Sequence, residues 1–167
     1  MKKSILKSML LMVATSVMLV SCDPPIMDWN PIRIYIKVSN AEGQNLLDSV
    51  TTNNFLDKEI SAEWKGETYI ADTVSLWEKQ HMTRMYLPMM NGLMYVTKDG
   101  EPMLYFGELA GDGDYDDEPF TIHWPDGSTD VITVKNKAYL SSADRKFKLN
   151  GKVVAKDTGS PIINIVK

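Results

Sequence analysis

Four short turns, each centred on a glycine between two strand-like segments, limit the possible folds more than any other feature of this sequence. Glycine adopts a positive φ at little steric cost, and a polar residue followed by glycine suits a tight hairpin turn. The four pairs are Lys65-Gly66, Asp99-Gly100, Asp126-Gly127 and Asn150-Gly151. Because such a turn makes its flanking segments antiparallel neighbours, the sequence predicts four β-hairpins. Their strands are Glu59–Trp64 with Glu67–Asp72, Leu93–Thr97 with Met103–Gly107, Phe120–Trp124 with Thr129–Lys135, and Lys146–Leu149 with Lys152–Ala155.

Alternation of apolar and polar residues predicts further strands. From Ile32 to Val38 every second residue is isoleucine or valine, which predicts a strand with one buried face. His81–Leu87 and Ile162–Val166 are also predicted strands, and Pro102, near a strand start, is typical of an edge strand. Many short strands separated by turns are typical of a sandwich or barrel. We therefore expect an all-β fold, a two-sheet antiparallel β-sandwich of the immunoglobulin or transthyretin type, as a single domain over residues 32–167.

The composition excludes several classes of function. The 167 residues include 18 Lys and Arg against 22 Asp and Glu, and the resulting charge of −4 argues against a nucleic-acid partner, which needs a basic surface. A single cysteine excludes a disulfide framework and a multi-cysteine metal site. Two histidines leave little room for a histidine-rich zinc centre.

The first 22 residues have the order of charges of an export signal. Lysines at positions 2, 3 and 7 precede the uncharged segment Ser8–Val20, whose thirteen residues are fewer than the roughly 20 that span a bilayer. This length is typical of the apolar part of a signal peptide, here over residues 1–21. The tetrapeptide Leu19-Val20-Ser21-Cys22 resembles the lipobox of bacterial lipoproteins. The resemblance implies fatty acyl chains such as palmitate on Cys22, followed by a lipidated lead-out over residues 22–31. A structural cysteine after an uncleaved apolar helix is the alternative.

The densest group of acidic residues is a candidate metal site. Asp112, Asp114 and Asp116 are carboxylates at alternate positions, which could converge on a hard cation such as Ca²⁺. Their spacing is similar to the start of an EF-hand loop, but Asp117 and His123 occupy the positions of its glycine and its bidentate glutamate. The alternative is a solvated loop between two strands. We expect no other cofactor.

The sequence contains no local catalytic signature. It has no Gly-x-Ser-x-Gly elbow, and His81 and His123 both lie on predicted strands, where a half-exposed histidine needs no catalytic role. We therefore predict no catalytic residue and a protein that is not an enzyme. A pair of carboxylates assembled by the fold could still hydrolyse glycosides, so a small envelope hydrolase is the first alternative. Trp77, in a polar stretch, is the best candidate for an exposed ring that contacts a ligand.

Several segments of the chain are similar to small lipoproteins of Bacteroidota cell envelopes. They are the start Cys22-Asp23-Pro24-Pro25-Ile26-Met27-Asp28-Trp29-Asn30-Pro31, then Trp64-Lys65-Gly66-Glu67, Phe106-Gly107-Glu108-Leu109 and Trp124-Pro125-Asp126-Gly127-Ser128. The resemblance implies an outer-membrane lipoprotein, facing either the periplasm or the cell surface, and carries over no catalytic residue. We expect a lipid-anchored binding or accessory module whose partner is a glycan or an envelope protein. A Ca²⁺-stabilised structural module is the second alternative.

Overall fold

Residues 31–72, 92–139 and 142–167 are described by the computed structural model, and within these ranges the chain forms ten β-strands and no α-helix. Accordingly, no helix among them has the length and apolarity needed to cross a membrane. The strands are β1 Ile32–Ser39, β2 Ser61–Trp64, β3 Glu67–Ile70, β4 Leu93–Lys98, β5 Glu101–Leu109, β6 Tyr115–His123, β7 Thr129–Ala138, β8 Ala143–Leu149, β9 Lys152–Lys156 and β10 Ile162–Val166.

The strands form two sheets, which confirms the predicted all-β sandwich. One sheet has four strands in the order β10-β1-β5-β4, and the other has six in the order β3-β2-β6-β7-β8-β9. All the strand pairs are antiparallel except β1 with β10, which run parallel from Tyr35 opposite Ile162 to Ser39 opposite Val166. The parallel pair is a departure from the purely antiparallel prediction. It joins segments far apart in the chain, and no turn sequence marks such a pairing.

All four predicted hairpins are confirmed, because each glycine turn joins two adjacent antiparallel strands. In the first turn Lys65 has φ 51° and Gly66 has φ 81°, and the Asp99 and Asn150 turns show the same two successive positive values. Two positive φ values are the mark of a type I′ turn, whose twist matches that of its strands. At Asp126 only the following Gly127 is positive, in keeping with a type I turn that begins at Trp124 and is closed by glycine.

One sequence expectation about strands is not tested by the structure, and two others need adjustment. The predicted strand His81–Leu87 lies outside the described residues. β6 starts at Tyr115, inside the segment expected to be an acidic loop. The expectation that Pro102 marks an edge strand is wrong, because β5 lies between β1 and β4. Proline is tolerated there because the registered pairs of β5 with β1 end at Leu104, so residue 102 lies beyond that ladder.

The core lies between the inner faces of the two sheets. The isoleucines and valine of β1 that alternate in the sequence are fully buried, as predicted. Phe106 of the four-stranded sheet stacks on Phe120 of the six-stranded sheet with ring centroids 4.3 Å apart. Trp64 meets both rings edge-on, at 6.2 and 6.5 Å. Aromatic pairs of this kind add about 0.5–1.5 kcal/mol to the burial of their area, so these rings bind the two sheets together.

A buried polar cluster also connects the two sheets. Asp130 of β7 accepts hydrogen bonds from Trp124 Nε1 at 2.8 Å, Asn150 Nδ2 at 2.7 Å and Lys167 Nζ at 2.5 Å. Lys167 follows β10 of the other sheet, and its Nζ lies 4.9 Å from the centre of the Trp124 ring. Burial opposes ionisation of Asp130, but the hydrogen bonds from Lys167, Asn150 and Trp124 outweigh it and hold the pKa of Asp130 below its usual value.

One edge of the sandwich is closed by backbone hydrogen bonds between the sheets. Asp72, just after β3, donates its N–H to Leu93 O at 3.1 Å and accepts one from Tyr95 N at 2.9 Å, and both partners are in β4. This closure places Tyr69 of β3 beside the four-stranded sheet, where its ring meets Phe106 edge-on at 5.3 Å.

Candidate functional site

A row of lysines crosses the outer face of the six-stranded sheet. Successive residues of a strand point to opposite faces, so the buried Val134, Asn136 and Phe147 turn their neighbours outwards. The strand register then sets Lys135 opposite Lys146. It also sets Lys146 opposite Lys156. We call the outward lysines of β7, β8 and β9 the lysine face: Lys135, Lys137, Lys146, Lys148 and Lys156.

A β-bulge brings two aspartates onto this face. Between Tyr115 and Glu118, β6 has one residue more than the paired part of β7, and Asp117 has φ 56° there. Asp116 Oδ1 lies 3.3 Å from Lys135 Nζ, and Asp117 Oδ2 lies 2.7 Å from Lys148 Nζ. The hydrogen bond to Asp116 raises the pKa of Lys135, and the hydrogen bond from Lys148 lowers the pKa of Asp117. These carboxylates therefore neutralise one part of the lysine face.

The remaining part is less completely neutralised, since Lys146 acts on Asp117 only from beyond ion-pair distance. Among the residues that the structure describes, Lys146 and Lys156 form no ion pair, although they are directly opposite each other. Asp144 is opposite Lys137 and is the third carboxylate in this register. The surface thus carries five lysines and three aspartates. Like charges directly opposite each other on adjacent strands destabilise a sheet. A chain with a net negative charge therefore carries a local positive surface that an anion would stabilise.

Exposed apolar side chains border the lysine face. Val153 is opposite Lys148 and is 48% exposed, and the ring of Tyr139 is 47% exposed. The ammonium group of Lys137 lies 6.0 Å from the centre of that ring. The surface therefore offers ammonium donors for carboxylate or phosphate oxygens, together with one accessible ring and one aliphatic contact.

The acidic loop is held in place by one buried and one half-buried polar side chain. Asn136, fully buried, donates from Nδ2 to Gly111 O at 3.1 Å and to Gly113 O at 2.6 Å. Arg145 donates from Nε to Asn136 Oδ1 at 2.8 Å and from Nη2 to Gly111 O at 3.2 Å. A tyrosine ring, that of Tyr115, packs over Gly113, where a Cβ would lie 2.6 Å from the ring carbon Cζ. The conformation of the loop is therefore explained by contacts within the protein, and the carbonyls of Gly111 and Gly113 already accept hydrogen bonds.

The three aspartates of the predicted Ca²⁺ site lie in different surroundings. Asp112 and Asp114 are exposed, whereas Asp116 is on β6 and pairs with Lys135. No three His, Cys, Asp or Glu side chains within residues 31–72, 92–139 and 142–167 are grouped so as to hold a metal ion. The Ca²⁺ site stays a prediction, and the described geometry gives Asp116 an ammonium partner instead.

A second group of interest is a pair of carboxylates at the closed edge of the sandwich. Tyr69 donates its hydroxyl to Glu67 Oε2 at 2.8 Å, and Gly92 N donates to Glu108 Oε1 at 2.5 Å. Burial raises the pKa of Glu108 and the charge of Glu67 adds to the rise, although the hydrogen bond from Gly92 opposes it. Burial, Glu67 and Glu108 together raise the pKa of Tyr69. A carboxyl group with a raised pKa beside a second carboxyl group is the arrangement that glycoside hydrolysis uses.

Of the other candidate site residues considered in the sequence, His123 alone lies within the described part of the chain. Cys22, Trp77 and His81 lie outside the described residues. His123 points outwards on β6 as predicted, and its Nε2 lies 3.5 Å from Glu63 Oε1 on β2, which is long for a hydrogen bond.

The lysine face was missed by the sequence analysis because its members come from three segments. The only local signal was the alternation of lysines in the segments Lys135–Lys137 and Lys146–Lys148. Comparison of the chain with protein-family models, curated proteins and solved structures finds no match.

Proposed function

We propose that this protein is a lipid-anchored, non-catalytic binding module of the bacterial cell envelope. It is held at the outer membrane through Cys22, and its partner is a glycan or an envelope protein. The observation that carries the binding role is the row formed by Lys135, Lys146 and Lys156. Such a row costs stability in the free protein and is relieved when an anionic partner binds. Complementary charge across an interface contributes mainly specificity and a faster association rate.

The proposed anchor follows from the chemistry of acyl chains. Each methylene buried in a bilayer contributes about 0.8 kcal/mol, and two or more chains hold a protein stably on the membrane. Pro24 and Pro25, which follow Cys22, favour an extended and stiff connection. The folded domain would then stand away from the bilayer with its sheet faces accessible to partners.

The anchor is tested by mass spectrometry of the protein isolated from its native membrane. We expect a mature N-terminus at Cys22 that carries fatty acyl chains, and a Cys22→Ser variant that leaves the membrane fraction. An N-terminus at Met1, or a Cys22 without acyl chains, would contradict the anchor.

The binding role is tested by glycan-array and pull-down experiments with residues 23–167. We expect a retained glycan or envelope protein that is lost when Lys146 and Lys156 are both replaced by glutamine. A retained partner that is indifferent to these lysines would place the binding surface elsewhere on the domain. The absence of any retained partner would contradict the binding role itself.

A second candidate function, a small envelope hydrolase, is supported by the raised pKa of Glu108 beside Glu67. In that role Glu108 holds the proton for the leaving group and Glu67 is the second carboxyl group of the pair. The test is release of reducing sugar from cell-envelope glycans by the wild-type chain and by Glu108→Gln. The hydrolase role requires activity in the wild type and its loss in the variant, and an inactive wild type would exclude it for these glycans.

A further inference from the structure

We propose that the partner of the lysine face is an anionic polysaccharide whose carboxylate or phosphate groups lie along the row Lys135, Lys146 and Lys156. This inference rests on the proposed binding function and specifies the chemistry of its ligand. The juxtaposition that carries it is the cross-strand register, which sets three lysines side by side on three neighbouring strands.

The charges available within the described chain leave this row incompletely neutralised. The bulge in β6 supplies Asp116 to Lys135 and Asp117 to Lys148. Both carboxylates come from one side of the row, and they leave Lys146 and Lys156 without an ion pair among the described residues. The positive charge that an external anion could neutralise is therefore greatest at Lys146 and Lys156.

The dimensions of the row favour a polymer over a small anion. Neighbouring strands lie about 4.8 Å apart, so the Cα atoms of the three lysines span roughly 10 Å across the sheet. A small anion contacts one or two of these groups. A polymer with a charge on successive sugars contacts Lys146 and Lys156 together and can compete with Asp116 for Lys135. Such linked contacts strengthen one another because each later one is intramolecular.

The neighbouring residues favour a polysaccharide chain over an anionic lipid surface. A membrane plane would meet the whole face, including the exposed carboxylate of Asp116 and that of Asp144, which an anionic surface repels. A linear chain that follows the lysine row meets the carboxylate of Asp116 only where it reaches Lys135. The exposed ring of Tyr139, beside Lys137, offers a planar surface on which a sugar can stack.

The test compares three probes with the full mature chain by titration calorimetry. The probes are polygalacturonate, its fully methyl-esterified form, and vesicles of phosphatidylglycerol. We expect binding to polygalacturonate that weakens as salt is raised, and no binding to the esterified polymer, which lacks the charges. Equal binding to both polymers, binding to the vesicles only, or no binding to polygalacturonate would overturn the proposal.

The lysine row is tested with Lys146→Gln combined with Lys156→Gln. We expect polygalacturonate affinity to fall about tenfold, roughly threefold for each ammonium removed. The matched control combines Lys58→Gln with Lys98→Gln, which removes the same charge away from the lysine face and should change affinity less than twofold. Unchanged affinity in the first variant would overturn the proposal.

Thermal melting without ligand provides a measurement that does not depend on the choice of probe. Because the variant at Lys146 and Lys156 loses a like-charge contact, its melting temperature should rise by about 1–3 °C. A lower melting temperature would show that the lysines contribute to folding and would remove the argument from repulsion. If the lysine variant still binds a neutral glycan or a protein in the pull-down, the binding module stands and only the anionic ligand is wrong.

Discussion

Replacing Asp130 with asparagine tests whether the buried polar cluster holds the two sheets together. The substitution keeps the size of the side chain and removes its charge. Lys167 Nζ, in a side chain that is only 12% exposed, then loses its carboxylate partner. Asp130 now accepts hydrogen bonds from Trp124, Asn150 and Lys167. The NH₂ group of an asparagine is itself a donor, so it would face at least one of these donors without forming a hydrogen bond.

The expected cost can be worked out from these contacts. Removing one partner of a buried ion pair typically costs 3–5 kcal/mol, because the other charge stays buried and uncompensated. Asparagine still accepts one or two of the three hydrogen bonds, which reduces the loss. We therefore expect Asp130→Asn to lower the free energy of unfolding by about 3 kcal/mol. A domain with ordinary stability of about 5–15 kcal/mol would remain folded.

Urea denaturation followed by circular dichroism measures this cost. With a denaturant slope of about 1–3 kcal/mol per molar urea, the midpoint should fall by about 1–3 M. The control is Asp99→Asn, since the Asp99 side chain is 82% exposed and lies 3.8 Å from Lys98 Nζ. An exposed pair of this kind should change stability by less than about 0.5 kcal/mol.

The pH dependence of stability tests whether the charge of Asp130 stabilises the folded chain. The pKa of Asp130 is lower in the folded chain than the roughly 3.9 of an unfolded one. Its contribution to stability is therefore complete above about pH 4–5 and is lost as the pH falls through the folded pKa. The stability difference between wild type and Asp130→Asn should shrink over that range. A cost below about 1 kcal/mol at pH 7, or a difference that stays constant down to pH 2, would refute the reasoning.

Three further changes test other parts of the fold. Gly107→Ala should cost about 1–3 kcal/mol in thermal or urea unfolding, because the new Cβ overlaps the Tyr105 ring; an unaffected midpoint would contradict that contact. Asn136→Ala should cost about 2–3 kcal/mol and speed amide exchange in residues 110–114, since Arg145 and the loop carbonyls lose their shared partner. Glu108→Gln should stabilise the chain near pH 7, because the pKa of Glu108 is raised by folding and its ionisation therefore costs stability as the pH rises above the unfolded pKa. The gain should vanish below the unfolded pKa of about 4.3, where the carboxyl group is neutral in both states.

The hairpins could be predicted because their cause is local. A positive φ at Gly66 or Gly151 is a steric requirement of the turn itself, and the two flanking strands follow from it. The alternation of β1 is equally local, since it reflects only which side chains face the core. Long-range pairings have no such signal. The parallel contact of β1 with β10 depends on which edge the remaining strands leave open.

The acidic segment shows how a single backbone irregularity changes the meaning of a motif. In the sequence, Asp112, Asp114 and Asp116 form an alternating series that favours a shared cation. In the structure, the extra residue in β6 turns Asp116 and its neighbour Asp117 towards lysines of β7 and β8. Bulges respond to the twist and register of a whole sheet. A local spacing rule cannot foresee them, and the same applies to the approach of Glu67 to Glu108.

The net charge of the chain does not show the local charge of each sheet face, and binding by contact depends on the local charge. A charge of −4 governs long-range attraction and solubility, and it argues against attraction of polyanions from a distance by the protein as a whole. Contact affinity depends instead on charges within a Debye length of about 8–10 Å. Strand alternation collects five lysines on one such area and disperses many of the acids elsewhere. An anionic ligand for this protein should therefore bind with slow, weakly steered association but with a clear dependence on Lys146 and Lys156. A fast association rate that falls steeply with salt would instead indicate steering by a larger positive region than the lysine face provides.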